Sequence, residues 1–158
     1  MTMTTSAPAD VTIRSLAPRD LAGVVRLDAL HTGEPKPSYW KQLFRDFLKT
    51  KPERVRIGLV AVQNRTLAGF VLAEVRGFEF GSEPCGWILE IGVNPKFARR
   101  QVATQLLTEV SRRFRASGVT TIRTMVRRND VPLLTFFRTN GFAGGPYVQL
   151  ELTPDSGE

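Results

Sequence analysis

The stretch Trp87-Ile88-Leu89-Glu90-Ile91-Gly92-Val93-Asn94-Pro95-Lys96-Phe97-Ala98-Arg99-Arg100-Gln101-Val102-Ala103-Thr104 decides how the chain folds. Its first seven residues are apolar on both alternating faces apart from Glu90 and Gly92, the pattern of a central strand covered on both sides. Pro95 ends that strand, because it cannot donate to a ladder. From Arg99 to Ser117, Val102, Leu106, Val110 and Phe114 recur every four residues, so the strand leads into a strong amphipathic helix. Gly118 is well placed to end it. A helix N-terminus presents unpaired N–H groups and a partial positive charge, so this junction can hold a phosphate. Arg99 and Arg100 add formal charge there, while Ala103 and Thr104 keep the first turn slim. An ordinary strand-to-helix connection with surface arginines is the other reading of the same residues.

Working outward, the alternation from Val11 to Leu16 predicts a strand, and Pro18 and Asp20 suit the first turn of a following helix. Gly33, Pro35 and Pro37 stop that helix. A second helix over Ser38 to Lys49 would bury Trp40, Leu43, Phe44, Phe47 and Leu48. Val55 to Val62 and Leu67 to Val75 read as a hairpin closed by Gln63-Asn64-Arg65-Thr66. Downstream, Thr120 to Val126 reads as a strand. Asn129 or Asp130 can cap a short helix that takes Pro132 in its first turn and stops at Asn140-Gly141. Phe142 to Leu152 supplies the last strand. The order β-α-α-β-β-β-α-β-α-β predicts an α/β fold with mixed strand directions. Residues 1–10 are expected to be a disordered tail, 11–153 a single domain and 154–158 a second tail.

Composition narrows the function classes. The chain has 158 residues, 42% hydrophobic and 23% charged, which fits an ordinary folded domain and not a disordered one. Cys85 is the only cysteine, so no internal disulfide forms and a reducing, cytoplasmic setting is expected, with Cys85 as buried filler. No apolar run reaches the roughly 18 residues needed to span a bilayer, and Met1 to Asp10 lacks the features of a signal peptide. His31 is the only histidine, which argues against a His-based metal site or a Ser-His-Asp triad. A surface or capping role suits it. The formal net charge is +7, and the ten basic residues between Lys96 and Arg138 face only Glu109 and Asp130. The Leu67 to Val93 stretch leans acidic instead, through Glu74, Glu79, Glu83 and Glu90 against Arg76. This polarity suggests an anionic partner on one side and a cationic one on the other, or an arginine face kept for solubility. No stacking aromatics lie among those arginines, so nucleic-acid binding is not expected.

The run Val93-x-Pro95-x-Phe97-x-Arg99-Arg100-Gln101-Val102-Ala103-Thr104-x-Leu106-Leu107 resembles the acyl-CoA-binding motif of the GNAT superfamily of N-acetyltransferases. The later run Asn129-Asp130-x-x-Leu133-Leu134-x-Phe136-Phe137-Arg138-x-Asn140-Gly141-Phe142 is similar to that family's second motif. The element order from Val11 to Leu152 matches as well. The resemblance implies a mixed sheet with helices on both faces, acetyl-CoA as acyl donor and a primary amine as acceptor. It implies cofactor contacts at Ile91, Gly92 and Val93, at Ala98, Arg99, Arg100, Gln101, Val102, Ala103 and Thr104, and at Asn129 and Phe137. Three positions depart from the family pattern. Ala98 replaces an Arg or Gln, Gln101 replaces the central glycine, and Phe137 replaces a tyrosine thought to protonate the departing thiolate. The resemblance also implies that the pantetheine arm pairs with the main chain of Ile91-Gly92-Val93. Gly92 suits either a bulge that aims an N–H at the thioester carbonyl or a close packing contact against a helix.

Glu90 is the candidate general base, because a carboxylate in an apolar strand has its pKa raised towards a useful range. The competing reading is a structural ion pair with an arginine such as Arg123. Tyr39 and Trp40 lie on the segment that lines the acceptor site in such folds, and Tyr39 is the candidate acceptor contact. Without a cysteine nucleophile, direct attack of the amine within a ternary complex is expected. Gln101 and Phe137 leave open a degenerate domain that binds acyl-CoA, or nothing, and serves as an interaction module. Dimers are common among proteins of this resemblance. No metal site is expected.

Overall fold

The computed structural model describes residues 10–49, 51–98 and 101–155. The described residues form two compact units, one extending to Met125 and one from Val126 onward. In the first, β1 (Thr12–Ser15) leads through a 3-10 turn at Pro18–Asp20 into α1 (Leu21–Thr32) and α2 (Pro37–Leu48). Next come β2 (Arg56–Gln63), β3 (Thr66–Arg76), β4 (Cys85–Val93), α3 (Val102–Ala116) and β5 (Ile122–Arg123). The sheet order is β1-β2-β3-β4-β5. The first four strands pair antiparallel, and β5 lies parallel to β4.

The breaks follow from local chemistry. Gly33 ends α1 in the left-handed conformation at φ 90°, and Pro37 occupies the first turn of α2, where its missing N–H costs nothing. Asn64 and Arg65 both take positive φ at the β2–β3 hairpin, as a two-residue turn of the tight mirror-image type requires.

Helices cover both sheet faces of this unit. On one face, Trp40, Phe44 and Phe47 of α2 join Val24 and Leu27 of α1 over Val60, Phe70 and Leu72. On the other, α3 presses on β3 and β4 so closely that only glycine fits beneath it. A Cβ on Gly86 would lie 2.6 Å from the Phe114 ring, and one on Gly69 would lie 3.1 Å from Val102 Cγ1. Cys85 is buried, as expected of filler.

The second unit contains α4 (Val131–Thr139), capped by Asp130, whose Oδ1 accepts from Leu133 N at 3.2 Å. Two strand expectations are corrected. Thr120 to Val126 shrinks to Ile122–Arg123, and Phe142 to Leu152 forms no strand. Val148, Leu150 and Leu152 do alternate, but all three are exposed, and alternation specifies a strand only where one face is buried. α3 starts at Val102, with Gln101 just before it in a non-helical conformation.

Candidate active site

The antiparallel ladder between β3 and β4 slips by one residue. Leu72 pairs with Glu90 and Ala73 with Ile88, which leaves Leu89 as the extra residue of a bulge. Before the slip, Gly86 and Ile88 belong to the α3 face. Beyond it the parity is reversed, so Glu90 shares a face with its partner Leu72, on the side of α1 and α2. An unbroken ladder would have aimed Glu90 at α3.

The same slip decides which main-chain groups are available. Asn94 N donates to Ala68 O at 2.8 Å, so these two form a hydrogen-bonded pair. By the alternation of antiparallel pairs, the N–H and C=O groups of Val93 and Ile91 point away from β3, while those of Gly92 face Phe70. Gly92 therefore lies outside the bulge, which sits at Leu89. Its own role is packing: an added Cβ would lie 2.7 Å from the Phe70 ring. The neighbour across this close contact is a cross-strand aromatic and not a helix.

On its outer side β4 pairs with β5 only at Gly86–Ile122 and Trp87–Arg123. Thr124 Oγ1 then donates to Ile88 O at 3.1 Å, and the described ladder ends there. Ile91 and Val93 thus present outward main-chain groups on a strand edge beyond the end of that ladder. His31, in the last turn of α1, reaches this edge: its Nε2 lies 2.8 Å from Val93 O. A carbonyl only accepts, so Nε2 carries the hydrogen.

Glu90 meets Tyr39 from α2, whose hydroxyl donates to Oε1 at 2.6 Å. Burial pushes the Glu90 carboxyl above the usual carboxylate range. The hydrogen bond from Tyr39 and the charge of Lys36 pull it back, while the charge of Asp28 pushes it further up. Burial, together with the Glu90 bond and charge, also raises the Tyr39 phenol, which stays protonated as a donor. Asp28 is 7% exposed, and its Oδ2 accepts from Trp40 Nε1 at 2.9 Å and pairs with Lys36 Nζ at 3.5 Å. Asp28, Lys36 and His31 were missed as neighbours of the site. A buried tryptophan needs an acceptor for its N–H, and Asp28 is the one acidic residue of α1, so that pair at least carried a signal in the sequence. Arg123, the alternative partner considered for Glu90, donates to Ser82 Oγ at 2.8 Å and reaches Cys85 Sγ at 3.6 Å.

At the β4–α3 junction, Asn94 caps a 3-10 turn over Pro95–Phe97, and Ala98 N donates to Pro95 O at 3.1 Å. Arg99 and Arg100 lie outside the described residues. Gln101 takes the left-handed conformation at φ 60° immediately before α3. That is the backbone geometry a glycine supplies without strain. The Gln101 side chain does not cap the helix, and the N–H groups of Val102, Ala103 and Thr104 have no intrahelical partners, the first helical bond being Gln105 N to Gln101 O at 3.0 Å. Val102 is buried against β3, whereas Ala103 and Thr104 are half-buried. Further along α3, Arg112 and Arg113 both bind Glu109, pulling its carboxyl down to about 2. That part of the arginine-rich stretch is a self-paired surface. In the second unit, Asn129 lies in the turn before α4. Phe137 is buried, its ring edge-on to Phe136 and Phe142 at 5.1 and 5.0 Å.

Among the described residues, no group of acidic, histidine and cysteine side chains could hold a metal ion. None of the described helices is long and apolar enough to cross a membrane.

Solved structures with this architecture include the aminoglycoside N-acetyltransferase AAC(6')-Iy in complex with the bisubstrate analogue CoA-S-monomethyl-acetylneamine. Its TM-score is 0.79 at 18% identity, covering 92% of this chain and 99% of that one. The aminoglycoside 6'-N-acetyltransferase AAC(6')-Ih from Acinetobacter baumannii gives 0.76 at 16% identity, covering 93% and 99%. A transcriptional regulator from Bacillus halodurans C-125 gives 0.75 at 18% identity, covering 90% and 99%. These likenesses establish the fold. Among curated proteins no sequence match is found. The model of the acetyltransferase (GNAT) family matches residues 21–142, a span that runs from α1 to the segment just past α4, and on that match the chain belongs to the GNAT family of acetyltransferases.

Proposed function

We propose that the protein transfers an acetyl group from acetyl-CoA to a primary amine by direct attack within a ternary complex. The observation that carries this reading is Glu90: a half-buried carboxylate turned by the Leu89 bulge onto the α1–α2 face, one residue from an outward-facing strand edge. A half-buried carboxylate with a raised pKa suits proton transfer from an ammonium or amine near neutral pH.

The donor's chemical features fit the residues present. The outward N–H groups of Ile91 and Val93 and the C=O of Ile91 would pair with the amides of a pantetheine arm as an added strand would, the Val93 C=O being engaged by His31. The N–H groups of Val102, Ala103 and Thr104, which have no intrahelical partner, would receive the pyrophosphate, with Ala98 and Gln101 on the turn that leads into them. Gly92 contributes by letting Phe70 approach, which keeps the edge of β4 in place. Acetyl-CoA supplies the thioester carbonyl that an amine attacks. The complex of AAC(6')-Iy with a CoA-based analogue supports this choice of donor.

In the proposed reaction, Glu90 takes a proton from the acceptor amine, directly or through a water, as nitrogen bonds to the acetyl carbon. The N–H of Ile91 or Val93 is the main-chain donor available to the carbonyl oxygen. As the C–S bond breaks, the thiolate leaves without help from position 137, because phenylalanine has no proton to give. An unperturbed thiol pKa of about 8.5 makes thiolate an adequate leaving group, protonated afterwards by water. The acidic lean around Asp28 and Glu90 favours a cationic acceptor, with Tyr39 at the acceptor side. The aminoglycoside enzymes of the same fold support a small-molecule amine.

Calorimetric titration with acetyl-CoA, with free CoA and ATP as controls, tests the donor site. Micromolar acetyl-CoA binding that exceeds ATP binding is the expected result. Failure to bind at millimolar concentration would defeat the reading. Binding with no transfer to any of a broad set of amines would instead identify a non-catalytic acyl-CoA-binding module.

A further inference from the structure

We propose that Tyr39 is a positioning residue for Glu90: its hydroxyl fixes the carboxylate through Oε1 and leaves Oε2 as the atom that accepts the acceptor's proton. The inference rests on the reading of Glu90 as the base and assigns Tyr39 a different task from contacting the acceptor.

The geometry is specific. The O–H···O distance of 2.6 Å is that of a charge-assisted bond to a carboxylate. It joins α2 to β4 across 51 positions of sequence, so no local turn produces it. Among the described residues, Oε2 has no protein hydrogen bond. The Tyr39 ring is itself held, edge-on to Trp40 at 5.5 Å, and the Trp40 indole is anchored by Asp28 below and by Phe70 at 5.3 Å. Tyr39 therefore reaches Glu90 from a fixed platform, although its own surface is 45% exposed. The charged groups that act on Glu90 are Asp28 from α1 and Lys36 from the α1–α2 connection, while β3 presents the apolar Leu72. Burial and Asp28 disfavour the ionised form, and Tyr39 and Lys36 favour it. Lys36 is already engaged by Asp28, so the phenol is the direct partner that keeps Glu90 charged.

The test is a pH titration of Glu90 by 13C NMR in protein labelled at the glutamate side-chain carboxyl, with Glu90→Gln identifying its resonance. Tyr39→Phe keeps the ring and its contact with Trp40 while removing the hydroxyl. The expected result is a Glu90 midpoint at higher pH in Tyr39→Phe than in wild type. With any primary amine that the wild-type protein acetylates, kcat/KM should fall about tenfold at pH 6, the deficit shrinking as pH rises and KM for acetyl-CoA staying fixed. An unmoved Glu90 midpoint overturns the inference, whether the variant shows only a lower Tm, as for a packing residue, or only a higher acceptor KM, as for a substrate contact. The base reading is judged separately. Retained turnover in Glu90→Gln would end it, whatever the NMR titration shows about Tyr39.

Discussion

At the scale of single residues, Gln101 is informative because its side chain and its backbone disagree. The left-handed conformation costs a non-glycine residue roughly 1 kcal/mol, and φ 60° at Gln101 carries that cost just where an anion would approach. Gln101→Gly removes the strain, but it also gives the unfolded chain more freedom, which returns part of the gain. A net stabilisation of about 0.5 kcal/mol is expected, raising Tm by roughly 1–2 °C in a thermal melt. On the proposed function, acetyl-CoA binding measured by calorimetry should tighten on the order of threefold, because the missing Cβ lets the main chain approach the pyrophosphate. A melt that rises with unchanged affinity would place the anion elsewhere. The departure of Gln101 from a glycine pattern could be read from the sequence. Its positive φ followed only on the assumption that the backbone kept the geometry of the glycine-bearing motif.

Among the elements, β4 is where sequence and structure part company. Its apolar run correctly indicates a central strand, and Glu90 stands out in it as the lone charge. Which face Glu90 occupies depends on the Leu89 slip, and a slip is a property of two strands, invisible in either sequence alone. The Tyr39 partnership was hidden for the same reason, since it needs the bulge and the α2 platform together. Phe142 to Leu152 shows the converse: a good strand pattern that forms no strand, because alternation supplies a face but not a neighbour to bury it. The packing of β4 gives a test at this scale. In Gly92→Ala the new Cβ lies 2.7 Å from a Phe70 ring that is 2% exposed and braced by Trp40, so neither can yield cheaply. Overpacking of this kind costs about 1–3 kcal/mol. Tm should fall by roughly 6 °C, and transfer activity should fall with it as the Trp40–Tyr39 platform shifts. Gly144→Ala, with no heavy atom within 4 Å of its Cβ, should leave the melt unchanged.

Over the whole molecule, two carboxylates set opposite limits on stability. Burial alone would raise Asp20, but bidentate bonds from Arg14 at 2.8 and 2.9 Å and the N–H of Ala17 outweigh it, so its folded pKa ends below the usual range. Its contribution is present above the ordinary aspartate range and is lost as pH falls through the lowered folded value. Glu90 behaves in reverse. Its folded pKa is raised, so the unfolded chain gives up the proton first, and stability declines as pH rises from the ordinary glutamate range through the raised value. The folded chain should therefore be most stable on the acid side of neutrality. Asp20→Asn should lower Tm at pH 7 by roughly 6 °C, for a loss of about 2 kcal/mol, and the difference should shrink towards pH 2. Glu90→Gln should do the opposite, raising Tm by roughly 2 °C at pH 8, leaving it unchanged near pH 3.5, and abolishing transfer. Scanning calorimetry of the three proteins from pH 2 to 8 reads both limbs. If Glu90→Gln is less stable than wild type at pH 8, the charged carboxylate is a structural asset through its bond from Tyr39, and a structural reading of Glu90 replaces the catalytic one. If it is more stable and inactive, the fold tolerates the destabilising charge on Glu90 because the chemistry requires it.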